Sequence, residues 1–155
     1  IYDIKSHDSS FCIGGACYPE IHPESRNQKD DSRHLKEKVD AGVEFLTTQM
    51  FFDNSKYFAF VKRLRKEGIN VPVIPGLKPL TTLNHLTMLP KTFHIDVPKR
   101  LSNELMKCKS NDDVKAVGVE WAKHQCRELR ENGVPGIHFY TMNASQSVEK
   151  IMNGL

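Results

Sequence analysis

The sequence predicts an α/β protein built on a parallel sheet, and three observations lead to that fold class. Short, nearly continuous apolar segments recur along the chain, as in parallel strands that are buried on both faces. Amphipathic helical patterns lie between these segments. Successive segments lie about 30 residues apart, which is the length of a right-handed β-α-β unit.

The predicted strands are rich in apolar, β-branched and aromatic residues. They lie at 11–18, 43–52, 71–76 and 136–142. The last two are separated by a longer connection, in which we expect a helix, a loop and a second helix.

The predicted helices fill the connections between strands. The first covers about 31–41, the second begins after Asp53 or Asn54, and the longest covers about 112–131. A glycine follows each helix, as expected at a helix C-terminus. The resulting order, β-α-β-α-β-(α, loop, α)-β-α, fits half of an eight-stranded (β/α) barrel or a small open sheet, and the pattern alone does not choose between them.

The composition excludes several function classes. The chain has 155 residues, 39% of them hydrophobic and 26% charged, as in one globular domain. The net charge is only +3 and the basic residues are dispersed, so nucleic acid is not an expected partner. No apolar run approaches the roughly 18 residues of a membrane span, so no membrane association is expected.

The cysteines and histidines do not show a metal-binding pattern. The four cysteines lack C-x-x-C spacing, and we interpret them as free core thiols of a cytoplasmic protein. No two histidines lie four residues apart on a helix with a carboxylate between them, so no metal is expected. The chain begins with Ile1 rather than Met, which suggests a piece of a longer protein.

Unusual polar and aromatic residues follow every predicted strand, at the end where parallel α/β folds bind ligands. Tyr18 and His22 follow the first strand, Gln49 ends the second and Tyr140 ends the fourth. This placement predicts a binding site at the carboxyl ends of the strands. The alternative is that Gln49 and Tyr140 only satisfy buried backbone groups.

Four motifs in this chain resemble those of the methylenetetrahydrofolate reductase family, in the family's order. They read GGACYPEIHPES, LKEKVDAGVEFLTTQMFFD, VPVIPGLKPL and GVPGIHFYTMN. The resemblance implies a parallel (β/α)8 TIM barrel with FAD at the carboxyl ends of its strands. It also implies reduction of 5,10-methylenetetrahydrofolate to 5-methyltetrahydrofolate with electrons from NADH or NADPH, a step of one-carbon metabolism. By the same resemblance, residues 1–155 are a single domain that holds the last four βα units, and the N-terminal half of the barrel is absent.

The resemblance assigns site residues one by one. The FAD-binding positions are Ala16, Tyr18, His22, Asp31 and Lys38. The folate-binding positions are Gln49, His85 and Tyr140. The general acid of the reaction belongs to the first strand of the family's barrel, so no catalytic residue is expected in this chain, and the chain alone is expected to be inactive.

Two positions depart from the family's pattern. Some bacterial members have Gln where this chain has His85, and the family commonly has Arg where this chain has Ala144. The second change leaves the substrate's glutamate tail without an expected contact. A second hypothesis is therefore a barrel half without turnover that binds folate or FAD or serves in assembly. In either case we expect folate as a ligand, and a homo-oligomer or the missing barrel half as the protein partner.

Overall fold

The computed structural model describes residues 1–142 and 145–155. Ala144, where we expected an effect on substrate binding, lies outside the described residues. In chain order, the elements of the described residues are α1 (Tyr2–His7), β1 (Gly14–Cys17), α2 (Gln28–Asp40), β2 (Phe45–Thr48), α3 (Asn54–Lys66), β3 (Val73–Ile74), β4 (Gly76–Leu77), α4 (His85–Phe93), α5 (Lys99–Met106), α6 (Asn111–Glu131), β5 (His138–Phe139) and α7 (Gln146–Met152). The predicted α/β class with parallel strands is confirmed.

Every strand pair in the described residues is parallel. β1 pairs with β2, β2 with β3, and β4 with β5. The third predicted strand is divided at Pro75, which the sequence prediction missed. Pro75 has no N–H to donate, and its carbonyl oxygen instead accepts from the backbone N–H of His138 at 2.9 Å. The chain therefore passes from pairing with β2 to pairing with β5 within a few residues.

Three of the described helices, α2, α3 and α6, begin at a side-chain cap. α2 starts earlier than predicted, because the side chain of Asn27 accepts from the backbone N–H of Asp30 at 3.0 Å. Asp53 caps α3, one of the two residues predicted to do so. Ser110 and Asp113 form a capping box at the start of α6. α1 has no counterpart in the prediction, and none of its residues is buried.

Two groups of buried side chains hold the elements together. The larger joins the sheet to α2, α3 and α6, through residues such as Leu46, Phe60 and Leu129. The smaller joins α4 and α5 to α6 and the residues after β2, and includes Phe52 and Leu105. A chain of this size can bury a substantial core in this way.

The cysteines only partly fit the expected core position. All four are free, and Cys17 and Cys126 are buried. Cys12 is exposed and Cys108 is partly exposed. Cys12 lies just before β1, at an edge where β1 has no second partner strand among the described residues, and this explains its exposure.

One face of the three-stranded sheet β1-β2-β3 is open. On the face that packs against helices, Cys17, Leu46 and Thr48 are fully buried. Their neighbours on the other face, Ala16 and Thr47, are exposed or half-buried. Side chains alternate between the two faces of a strand, so this second face, called the inner face below, is not covered by helices in the described part of the chain. None of the helices described is long and apolar enough to cross a bilayer.

Candidate functional site

The loop after β1 brings two predicted site residues into contact. The rings of Tyr18 and His22 pack edge to face, with their centroids 4.5 Å apart. Between them Ile21 has a φ of 99°, a conformation that a β-branched residue rarely adopts. Backbone strain of this kind persists only where the surrounding structure imposes it, and it is common at ligand sites.

Asp31 joins this loop to helix α2. One oxygen of its carboxylate accepts from Ser25 Oγ at 3.2 Å and from the backbone N–H of His22 at 3.4 Å. Asp31 is only 4% exposed, and its other oxygen has no hydrogen-bond partner among the described residues. A buried carboxylate oxygen without a donor is costly, so a donor supplied by a ligand would stabilise it.

Lys38 lies seven residues after Asp31, on the same side of α2. Its Nζ donates to the backbone carbonyl oxygen of Ala16 at 3.2 Å. The structure therefore brings together all five predicted FAD-binding residues, at the carboxyl end of β1 and on the helix that follows. The side chain of Lys38 is half-buried and its ammonium has further donors available.

Gln49 and Tyr140 lie on the inner face and both contact backbone. Oε1 of Gln49 accepts from the backbone N–H of Met50 at 2.9 Å. The hydroxyl of Tyr140 donates to the backbone carbonyl oxygen of Thr48 at 2.8 Å, which links β5 to β2. Burial raises the pKa of Tyr140, and the nearby Cys17 and Tyr18 raise it further.

These bonds fit the alternative that Gln49 and Tyr140 only satisfy buried backbone groups. Each side chain can nevertheless form a further hydrogen bond. The amide N–H groups of Gln49 donate to no described residue, and the residue is half-buried. The oxygen of Tyr140 can still accept a hydrogen bond. Both residues can therefore hold the backbone and contact a ligand at once.

His85 is the first residue of α4, and it lies beside a lysine that sequence reasoning missed. Nδ1 of His85 accepts from the backbone N–H of Thr81 at 3.2 Å. Burial, and then the charge of Lys78, lower the pKa of His85. Lys78 itself is 6% exposed, and its Nζ reaches the backbone carbonyl oxygen of Tyr140 at 3.4 Å. A signal was present in the sequence, since Lys78 lies two residues after the predicted strand 71–76, in a motif quoted above.

The two glutamates of the β1 loop have different surroundings. Glu20 forms an ion pair with Lys56 of α3, and its second oxygen accepts from the backbone N–H of Asp96 at 2.9 Å. Burial raises the pKa of Glu20 although Lys56 opposes it. Glu24 is exposed. Glu20 thus fastens the loop to α3 and to the segment before α5. Within the described ranges, no three His, Cys, Asp or Glu side chains are grouped so that they could hold a metal ion.

Comparison with known proteins identifies relatives of this chain. The family model described as methylenetetrahydrofolate reductase matches residues 1–155. "Methylenetetrahydrofolate reductase 1" of Schizosaccharomyces pombe is 36% identical over 98% of this chain and 26% of its own length. "Probable methylenetetrahydrofolate reductase (NADPH)" of Caenorhabditis elegans is 36% identical over 97% of this chain and 23% of its own. The chain thus spans about a quarter of the length of these relatives.

Bacterial and structural relatives extend the comparison. A 5,10-methylenetetrahydrofolate reductase of Buchnera aphidicola is 36% identical over 88% of this chain and 47% of its own length. A solved structure of an uncharacterized protein from Clostridium thermocellum, which binds two copies of 5-methyl-5,6,7,8-tetrahydrofolic acid, superposes with a TM-score of 0.63. The superposition covers 97% of this chain and 55% of that one, at 20% sequence identity, so it supports the fold alone.

Proposed function

Because this chain belongs to the methylenetetrahydrofolate reductase family, we propose that its parent protein reduces 5,10-methylenetetrahydrofolate to 5-methyltetrahydrofolate. The observation that carries the proposal is the inner face of the sheet. There Ala16 and Tyr18, which are assigned to FAD, lie beside Gln49 and Tyr140, which are assigned to the folate, and Lys38 of helix α2 donates to the carbonyl oxygen of Ala16. Two ligands that must exchange a hydride need such adjacent sites.

The residues around β1 fit FAD in their chemistry. Lys38 offers a positive charge for the diphosphate, and the unsatisfied oxygen of Asp31 offers an acceptor for a hydroxyl group. His22 offers a further polar contact on the strained loop. When bound, FAD supplies the redox chemistry between the nicotinamide and the folate, while the protein supplies position and electrostatics. Among the relatives, NADPH is named for the Caenorhabditis elegans protein and NADH for one of Arabidopsis thaliana, so either donor fits the family.

Gln49 is suited to the pterin ring of the folate. A primary amide both donates and accepts, which matches the adjacent carbonyl and ring N–H of a pterin edge. The oxygen of the Gln49 side chain accepts from the backbone N–H of Met50, while its amide N–H groups donate to no residue that the structure describes.

We further propose that this chain forms the last four βα units of a (β/α)8 barrel. The open inner face and the unpaired outer edges of β1 and β5 in the described residues support this arrangement, since a closed barrel covers both. The chain would then need a partner half, or a second copy, to cover these surfaces. By the family resemblance the general acid lies in the other half, so the chain alone should be inactive.

The test separates the two half-reactions in the full-length protein with Gln49→Ala. Reduction of bound FAD by the nicotinamide should change by less than about twofold, while KM for the folate rises and kcat for its reduction falls by about tenfold or more. Asn70→Ala, at an exposed amide before β3, is the matched control. Equal losses in both half-reactions would make Gln49 structural only. Folate binding without turnover by the full-length wild type would favour the non-catalytic alternative.

A further inference from the structure

Lys78 is a buried cation without a counter-charge in the part of the chain that the structure describes. Only 6% of Lys78 is exposed, and the residue directly follows β4 (Gly76–Leu77). Its one hydrogen bond within the described residues is a long one, 3.4 Å from Nζ to the carbonyl oxygen of Tyr140. No carboxylate of the described residues forms an ion pair with Lys78, and Asn143 and Ala144, which the structure does not describe, carry no carboxylate.

Such a position is unfavourable for a lysine in the absence of a ligand. An ammonium that leaves water loses several kcal/mol of solvation unless anions and acceptors replace it, and here one weak acceptor does so. Consistent with this, burial lowers the pKa of Lys78. A buried charge that destabilises the folded protein is characteristic of a residue that meets its partner only when a ligand binds.

The neighbours of Lys78 indicate which ligand this is. Tyr140 and His85, which lie near it, are assigned to the folate site and not to the FAD site. The FAD-assigned residues lie around β1 and α2, and β1 pairs with β2, whereas Lys78 follows β4, which pairs with β5. The carboxylates of the glutamate tail are the groups of a folate that are negatively charged at neutral pH, and a desolvated ammonium pairs best with such an anion.

We propose that Lys78 binds a carboxylate of the folate's glutamate tail, an inference that rests on the proposed function. Lys78 thereby offers the positive charge that the family's Arg would supply at the position of Ala144.

The experiment measures binding of two ligands to the full-length protein by titration calorimetry. One is 5-methyltetrahydrofolate, and the other is its bis-amide, in which both glutamate carboxylates are carboxamides of nearly the same size. Wild type should bind the folate about tenfold to a hundredfold more tightly than the bis-amide, the range for a charge-assisted hydrogen bond. Lys78→Met should lose most of this preference by weakening folate binding, while its affinity for the bis-amide stays the same. Lys78→Arg should keep part of the preference.

Folding is followed in the same samples, with Lys66→Met as a control at an exposed lysine of α3. Lys78→Met should unfold at the same urea concentration as wild type or a higher one, because it removes a buried unpaired charge. Equal weakening for both ligands, a lowered urea midpoint, or a wild type that does not distinguish the two ligands would each overturn the role of Lys78. A wild type that binds neither ligand would instead overturn the proposed function.

Discussion

Tyr140→Phe tests whether the site residues on the inner face hold the fold, bind a ligand, or do both. The substitution removes only the hydroxyl that donates to the carbonyl oxygen of Thr48 at 2.8 Å. The fold contains a matched control, because the hydroxyl of Tyr57 donates to the carbonyl oxygen of Val73 at the same distance of 2.8 Å. Tyr57 lies on the helix-facing side of the sheet, among buried residues, and faces no candidate ligand.

The two substitutions should have similar effects on stability. Each substitution removes the hydroxyl that donates to the backbone carbonyl oxygen of a buried strand residue, Thr48 or Val73. The loss of this hydrogen bond should lower the free energy of unfolding by about 1–2 kcal/mol. With an m value of about 2 kcal/mol per molar in urea, each midpoint should fall by roughly 0.5–1 M. Tyr57→Phe should show the larger shift, because Tyr57 is more fully buried than Tyr140.

The two substitutions should differ in folate binding. At temperatures where the protein is fully folded, we expect Tyr140→Phe to lower the affinity for 5-methyltetrahydrofolate by about tenfold. Tyr57→Phe should leave this affinity within about twofold of wild type. Urea titration and calorimetry on the same full-length samples provide both numbers. If both variants lose stability and neither loses affinity, Tyr140 only satisfies the backbone of Thr48, and its assignment to the folate site is wrong.

Two further predictions concern the FAD residues and the packing beneath the site. Lys38→Glu should reduce the FAD retained by the purified full-length protein by about tenfold or more, because it replaces attraction to the diphosphate by repulsion. The control Lys36→Glu, on the exposed face of α2, should retain FAD normally. Equal FAD retention by the two variants would refute the assignment of Lys38. Gly118→Ala should lower the free energy of unfolding in urea by about 2–3 kcal/mol, because its Cβ would lie 2.0 Å from the carbonyl oxygen of Leu80. The control Gly136→Ala, whose Cβ would meet no atom within 4 Å, should change that free energy by less than about 0.5 kcal/mol. An unchanged stability of Gly118→Ala would show that α6 can move away from Leu80.

The parts of the fold that the sequence predicts are those determined by local pattern. The strands follow from short apolar runs, and the ends of α2 and α3 follow from Gly42 and Gly68, which adopt φ values of 108° and 79° that favour glycine. The division of the third strand at Pro75 depends instead on which partner strand is available on each side. That is a property of the assembled sheet, and the local sequence does not contain it.

The site shows the same division between local and tertiary information. Strand parity and position after a strand predict Tyr18, Gln49 and Tyr140, since both are local properties. The unsatisfied oxygen of Asp31 and the burial of Lys78 arise only when separate segments pack around them. From sequence, a lysine after a strand is most simply interpreted as exposed, because lysine is almost never fully buried. The structure makes this particular lysine informative.

The two lysines of the site together suggest how the ligands would be oriented. Lys38 contacts the carboxyl end of β1, which pairs with β2, and Gln49 directly follows β2. Lys78 follows β4, which pairs with β5. FAD carries its negative charge on the diphosphate, and a folate carries it on the glutamate tail; each has an uncharged ring system at the reactive end. If each lysine holds the anionic part of one ligand, both ring systems are directed toward the middle of the inner face. The charges of Lys38 and Lys78 would then align the two large ligands with little contribution from the ring systems. The amide of Gln49 would select the pterin ring.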